Sequence, residues 1–216
     1  APFSSFIKDG KNLILSASPE RFMKKKGSLL LSQPIKGTAK RGVNTREDGD
    51  IIKRLSVDPK EISENVMIVD LVRNDLSKIA TKNSVNVDEL CEVYTFKTVH
   101  QLISTISCQI KSGINYSDIL QALFPMGSMT GAPKISAMNN INLFENFNRG
   151  IYSGAIGYID PNGNFDFNVV IRTILADIEN KEISCSVGGA ITINSDPNSE
   201  YEECLLKLKA IEQTLC

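Results

Sequence analysis

Apolar and polar positions alternate in short runs at the start of the chain. Residues 3–7 and 11–16 read as two strands joined by Lys8-Asp9-Gly10, a turn short enough to force a hairpin, and residues 28–33 read as a third. The period then lengthens. Asn44 is placed to cap a helix over about 45–56, and Asp58-Pro59 to open another over about 59–77. In the second helix Ile62, Val66, Val69 and Val72 make one stripe, the pattern of a helix packed on a sheet. The run TVHQLISTISCQI alternates from Leu102 through Ser104, Ile106, Cys108 and Ile110, with Ile103 on the other face, and predicts a strand buried on both sides. A helix near 116–124 follows, then the loop GSMTGAP and a helix begun by Pro133. Residues 151–193 hold several strands with turns at Pro161-Asn162-Gly163 and Asn180-Lys181, and connections that short require antiparallel neighbours. Residues 198–214 close the chain as an amphipathic helix. This order predicts an α+β fold rather than a regularly alternating doubly wound one.

Composition narrows the function. With 216 residues, 42% of them hydrophobic, the chain can bury a substantial core. A net charge of −1 excludes a strongly basic nucleic-acid surface, which leaves small-molecule chemistry as the default. No apolar run approaches the roughly 18 residues of a membrane span, so no membrane partner is expected. The five cysteines, Cys91, Cys108, Cys185, Cys204 and Cys216, are odd in number and lack metal-like pairing, which predicts reduced, mostly buried thiols in a cytoplasmic protein. The start Ala1-Pro2-Phe3 has no signal-like pattern and no initiator methionine, from which a processed chain or the later part of a longer one is expected.

Several residues carry candidate chemistry. Lys36 lies between Pro34 and Gly37, a rigid residue and a permissive one, so its amine can be aimed from a fixed backbone as a nucleophile; a solvated loop lysine is the plainer alternative. Glu20, after Pro19 in SASPERF, is suited to present one carboxyl into a pocket. Glu61 with Glu64, and Glu200 with Glu203, are spaced three apart near the starts of two helices. Each pair shares a face, and two such faces could hold a hard cation such as Mg²⁺ through oxygen, unless the carboxylates only complement helix dipoles. Lys207 follows Glu203 by four residues, the spacing of an ordinary surface ion pair as well.

GSMTGAPK lacks the Gly-Lys-Ser/Thr ending of a phosphate loop. It still offers Ser128, Thr130 and a helix N-terminus to a carboxylate or hydroxyl, or it is simply a tight connection. Gly188-Gly189-Ala190 is a second amide-rich turn, with close backbone packing as its alternative. Arg172, in VVIRTIL with apolar neighbours on both sides, needs an anionic partner, whether ligand or structural. His100 is the only histidine and reads as a satisfied structural one, and without a second histidine or paired cysteines zinc is not indicated. No nucleophile elbow surrounds any serine or cysteine.

The segments SASPERF, PIKGTAKRG, ENVMIVDLVRNDL, TVHQLISTI, LFPMGSMTGAPKISAM, IYSGAIGYID, FNVVIRT and CSVGGAITINSDPNSEYEE, in this order, resemble the chorismate-utilising enzyme family over essentially the whole chain. Within it the chain is most similar to the branch that turns chorismate and ammonia into 4-amino-4-deoxychorismate for folate and para-aminobenzoate synthesis. The sister branch, which makes anthranilate, typically carries alanine where this chain has Lys36. The resemblance implies one chorismate-binding catalytic domain over residues 1–216, lacking its N-terminal strands, with largely antiparallel sheets packed as a sandwich and flanking helices.

The resemblance also implies roles. Lys36 would be a covalent nucleophile and Glu20 the general acid. Glu64 and Glu203 would ligate Mg²⁺ directly, with Glu61 and Glu200 holding metal-bound waters. Lys207 and the amides of Gly188, Gly189 and Ala190 would assist the ring carboxylate; some relatives have glycine at the position of Ala190. Tyr152 and Arg172 would hold the enolpyruvyl carboxylate, and Ser128, Thr130 and His100 would line the ring pocket, with Thr38 also among the substrate-binding residues. A glutamine amidotransferase subunit would supply ammonia. The alternatives are an anthranilate-forming or other chorismate enzyme, or a truncated module that binds chorismate or a partner without turnover.

Overall fold

A computed structural model describes residues 1–193, 195–213 and 215; Cys216 and the Thr214 end of the expected last helix lie outside the described residues. In chain order the elements are β1 (Phe3–Asp9), β2 (Asn12–Ser18), β3 (Arg21–Lys26), β4 (Leu29–Gln33), β5 (Ile35–Lys40), α1 (Thr45–Ser56), α2 (Pro59–Ile79), β6 (Asn86–Thr95), β7 (Val99–Gln109), α3 (Tyr116–Leu123), α4 (Lys134–Phe144), β8 (Ala155–Ile159), β9 (Phe165–Val169), β10 (Thr173–Asp177), β11 (Glu182–Cys185) and α5 (Pro197–Glu212). The registered strand pairs are antiparallel, and the fold is α+β. Contacts divide the chain into two compact units, residues 1–19, 149–156 and 169–216 in one and residues 20–148 and 157–168 in the other.

Local chemistry starts the helices where expected. The Asn44 side chain accepts a hydrogen bond from the Glu47 amide at 3.0 Å, and the Asp58 carboxylate accepts from the amides of Lys60 and Glu61 at 3.0 and 3.1 Å, with Pro59 at the first helical position. The buried stripe of α2 is rotated from the expected one: Ile68, Val69, Val72, Leu76 and Ile79 are buried together with Asn65 and Asp75, while Ile62 and Val66 are half-buried. This stripe packs on β7.

In the second of these units β7 is the innermost strand, with every residue from His100 to Cys108 buried. One of its edges pairs with β6, and the other is shared by β4 and β5 in succession. Pro34 lies where one partner gives way to the next, and its carbonyl accepts the Ser104 amide at 3.2 Å. Strands β3, β9 and β8 extend the sheet beyond β4. β3, β5 and β6 were not legible as strands. β3 ends in three lysines, β5 contains Gly37, and β6 breaks its alternation with two register shifts against β7. Gly157 of β8 has no room for a side chain, because a Cβ would lie 2.1 Å from the Asp166 carbonyl oxygen. Gly157→Ala is expected to destabilise the protein by roughly 1–3 kcal/mol by forcing β8 off β9, measured as a lowered midpoint in urea denaturation.

The other unit carries a four-stranded sheet in the order β1-β2-β10-β11, and α5. The expected meander over 151–193 is therefore divided, with β8 and β9 in one sheet and β10 and β11 in another. Arg172 sits at the changeover rather than in a strand. It has a φ of +51° and an exposed side chain, and its carbonyl accepts the Ala17 amide at 3.1 Å. Among the described cysteines only Cys108 is buried, and burial pushes its thiol up to about 11; Cys91, Cys185 and Cys204 are half-buried, all four being free. Among the described residues no helix is long and apolar enough to cross a membrane.

Candidate active site

Lys36 is placed by the break in pairing along β7. Ile35 and Lys36 pair with Ile103 and Leu102, then the register shifts at Gly37, whose φ is +79°. A bulge with a left-handed glycine turns the strand and re-aims the neighbouring side chain. Space also demands glycine there, since a Cβ would come within 3.1 Å of Glu61 Oε2 and of a Leu102 methyl. The lysine is half-buried, and beside it lies Glu20, at the end of the chain segment leading into β3.

Glu20 is only 6% exposed, and burial raises its carboxyl to about 7. A hydrogen bond from Ser128, the charge of Lys36 and the backbone at Ile35 each pull the other way without offsetting the loss of water. An acid, an amine and a hydroxyl thus converge from three separate segments of one unit. At neutral pH the carboxyl is poised to hold or release a proton, the condition for general acid catalysis.

The GSMTGAP segment forms a short 3-10 turn over Gly127–Met129. Its two hydroxyls are used differently. Ser128 reaches Glu20, whereas Thr130 Oγ1 donates back to the Met126 carbonyl at 3.0 Å and braces the turn. Thr38 is exposed, and its Oγ1 accepts from Gln101 Nε2 at 3.4 Å. His100 is wholly buried, with Nδ1 2.9 Å from Thr95 Oγ1 and Nε2 2.8 Å from Asp48 Oδ1. Both ring nitrogens are engaged inside the protein, as expected of a satisfied structural histidine. Asp48 also accepts from the Arg41 guanidinium and the Gly42 amide, and these bonds hold its carboxyl well below the usual range.

In the other unit the amide-rich segment follows β11. Gly188 is required by Tyr152, because a Cβ there would stand 2.7 Å from the phenol oxygen. The Tyr152 ring lies under Arg149, whose guanidinium carbon is 5.7 Å from its centroid. Lys207 Nζ donates to the Gly188 carbonyl at 2.8 Å and pairs with Glu203 at 2.7 Å, so α5 and the glycine segment are tied together by this lysine. Glu200 is 6% exposed and accepts from Ser195 Oγ at 2.8 Å, while Glu203 is exposed. Ala190 is half-buried. Arg172 is exposed, although desolvation lowers its guanidinium pKa, so it is not the fully buried arginine that would require an anionic partner.

The two carboxylate pairs belong to different units, Glu61 and Glu64 on α2 and Glu200 and Glu203 on α5. Among the described residues no three His, Cys, Asp or Glu side chains gather into one metal-sized group. The donor set is nonetheless all oxygen, and glycine keeps a side chain off a carboxylate in each unit: a Cβ on Gly37 would crowd Glu61, and one on Gly189 would come within 3.2 Å of Glu200 Oε2. Carboxylate oxygens are the donor type that Mg²⁺ takes. The sequence reading passed over the ion pair of Asp75 with Lys134 and the Asp48–Arg41 pair. The signal for the first was an aspartate at a core position of the α2 stripe.

The family described as chorismate binding enzyme matches residues 1–213, and the chain belongs to that family. It is 43% identical over 215 residues to aminodeoxychorismate synthase component 1 of Escherichia coli strain K12, covering 100% of this chain and 47% of that protein. It is 44% identical over 213 residues to the chloroplastic aminodeoxychorismate synthase of Arabidopsis thaliana, covering 97% of this chain and 23% of the relative. The crystal structure of anthranilate synthase component I from Streptococcus pneumoniae superposes with a TM-score of 0.86 at 33% identity, over 97% of this chain and 46% of that one. The chain therefore spans about half the length, or less, of the relatives it matches.

Proposed function

We propose that the protein converts chorismate and ammonia to 4-amino-4-deoxychorismate, as the chorismate-binding part of an aminodeoxychorismate synthase. The observation that carries this reading is the buried Glu20, its carboxyl raised to about 7 beside Lys36 and bonded to Ser128. The names of the relatives at 43–44% identity support the choice of product. A second reading, anthranilate formation, is favoured by the likeness to the Streptococcus pneumoniae enzyme. Incubation with chorismate, Mg²⁺ and an ammonium salt separates the two by product mass and retention: 4-amino-4-deoxychorismate is expected, and anthranilate alone would overturn the proposal.

The Glu20 carboxyl supplies the proton and Lys36 the attacking nitrogen. Its Nζ attacks ring carbon 2, both ring double bonds shift one position round the ring toward carbon 4, and the 4-hydroxyl takes the Glu20 proton and leaves as water. Ammonia then adds at carbon 4 as the carbon–lysine bond breaks, returning both double bonds to their first positions and freeing the amine. Tyr152 and Arg172 hold the enolpyruvyl carboxylate, and Lys207 with the Gly188, Gly189 and Ala190 amides holds the ring carboxylate. Glu64 and Glu203 would hold Mg²⁺ directly and Glu61 and Glu200 would hold its waters, and the ion would supply positive charge to that ring carboxylate. Ammonia comes from a glutamine amidotransferase partner, a reading supported by the "component 1" in the relative's name. Glu203→Ala is expected to abolish Mg²⁺-dependent chorismate binding in a calorimetric titration, and an unchanged affinity would remove this residue from the site.

A further inference from the structure

The loop that carries Ser128 is held at its neck by a buried ion pair. Lys134, the first residue of α4, places its Nζ on Asp75 Oδ2 and on the Leu123 carbonyl at 3.2 Å. Leu123 is the last residue of α3, so one ammonium bridges the two ends of the segment 124–133. Asp75 is 3% exposed and belongs to the core stripe of α2; its other oxygen accepts from Lys78 at 2.7 Å. One helical turn earlier Leu71 presses on the loop's crown, where Gly127 comes so close that a Cβ would be 2.7 Å from a Leu71 methyl. The turn also makes bonds within itself, from the Met129 amide to Met126, from the Thr130 amide to Gly127 and from the Thr130 hydroxyl to Met126. They shape it without fastening it to α2. Asp75–Lys134 and Leu71–Gly127 fasten it to that helix.

We propose that Lys134 is a positioning residue for the candidate acid: fixed by Asp75, it closes the neck of the 124–133 loop and so holds Ser128 on Glu20. This rests on the reading of Glu20 as the acid of a chorismate enzyme. Asp75 and Lys134 touch no reacting atom in that scheme and act through Ser128.

Because the Ser128 hydrogen bond favours the ionised carboxyl, releasing the loop raises the proton affinity of Glu20. The charged group that acts on Glu20 is Lys36, which none of the variants below changes. The carboxyl is followed by NMR in protein carrying ¹³C-labelled glutamate, with Glu20 assigned by its loss in Glu20→Gln. Ser128→Ala, Lys134→Met and Asp75→Asn are each expected to raise its midpoint by roughly one pH unit, tenfold in proton affinity, while Lys134→Arg stays near wild type.

Asp75→Asn separates position from charge. Removing an anion lowers a neighbouring carboxyl's pKa by electrostatics alone, whereas losing the fastening raises it. A lowered or unmoved midpoint in Asp75→Asn overturns the proposal, as does a double variant Asp75→Asn, Ser128→Ala that shifts by the sum of the two rather than by Ser128→Ala alone. Breaking a buried pair can cost several kcal/mol of stability. Leu71→Ala therefore loosens the second fastening without touching a charge, and the same rise is expected there; no rise in that variant also overturns the proposal. The titration needs no substrate, so its outcome is independent of the product assay.

Discussion

Replacing Lys36 with alanine is expected to lower the rate of 4-amino-4-deoxychorismate formation by at least about a thousandfold while chorismate still binds. The size of the effect follows from what the side chain contributes. A residue that forms and breaks a bond to the substrate cannot be replaced by its neighbours, and Glu20, Ser128 and Glu61 offer no second amine. The backbone around it should survive the change, because Pro34, the Gly37 bulge and the pairing of Ile35 with Ile103 do not depend on the ammonium. Rapid quenching and intact-mass analysis of the wild-type protein should reveal an adduct equal to chorismate less one water, absent from Lys36→Ala. Turnover by the variant at the wild-type rate would exclude nucleophilic catalysis and leave the lysine an electrostatic part.

Glu20→Gln is expected to have two opposite effects. Turnover falls by roughly 10²- to 10⁴-fold, the usual contribution of a positioned general acid. Stability at alkaline pH rises. The folded-state pKa is about 7 against an ordinary value of 4.5, so the protonated acid is preferred in the folded chain. Its contribution to stability is fully present below 4.5, declines as pH rises through 7, and above that leaves a cost of about 3 kcal/mol for an ionised buried carboxylate. Glutamine, of the same shape and uncharged at every pH, avoids that cost. At pH 8 the variant should melt roughly 6–12 °C higher than wild type, and at pH 4 the two melting curves should converge. Equal stability at pH 8 would mean that the carboxyl is not perturbed by burial, and the case for a protonated acid at neutral pH would fall with it.

How far the sequence could be read depended on whether the deciding interaction was local. The starts of α1 and α2 were legible because Asn44 and Asp58 bond amides two or three residues away. The hairpin of β1 and β2 was legible from its short turn, the buried β7 from its alternation, and α3 as a helix near 116–124. β3 was not, since three successive lysines carry no strand pattern and only pairing with β4 and β9 makes the segment extended. The place of Arg172 was hidden because VVIRTIL reads as one unbroken strand, and nothing local marks where a chain leaves one sheet for another. At the site, the type of residue was legible and its neighbours were not. Glu20 and Lys36 could each be singled out from flanking proline and glycine, but that they act on one another depends on β3, β5 and the 127–129 turn, which only the folded chain brings together.

β7 has a consequence that concerns uniqueness rather than strength. A strand with one wet face is kept in register by its hydrophobic alternation, since sliding by one residue would turn its greasy side outward. β7 has no wet face, so a slipped pairing would exchange one set of covered side chains for another at little hydrophobic loss. What tells the correct pairing from its near-copies is the bonding of particular polar side chains: Ser104 bonded to Asn65 at 2.5 Å and holding the Cys91 amide at 2.9 Å, and His100 locked between Thr95 and Asp48. These residues work as a key code, and the amine on β5 inherits its address from them.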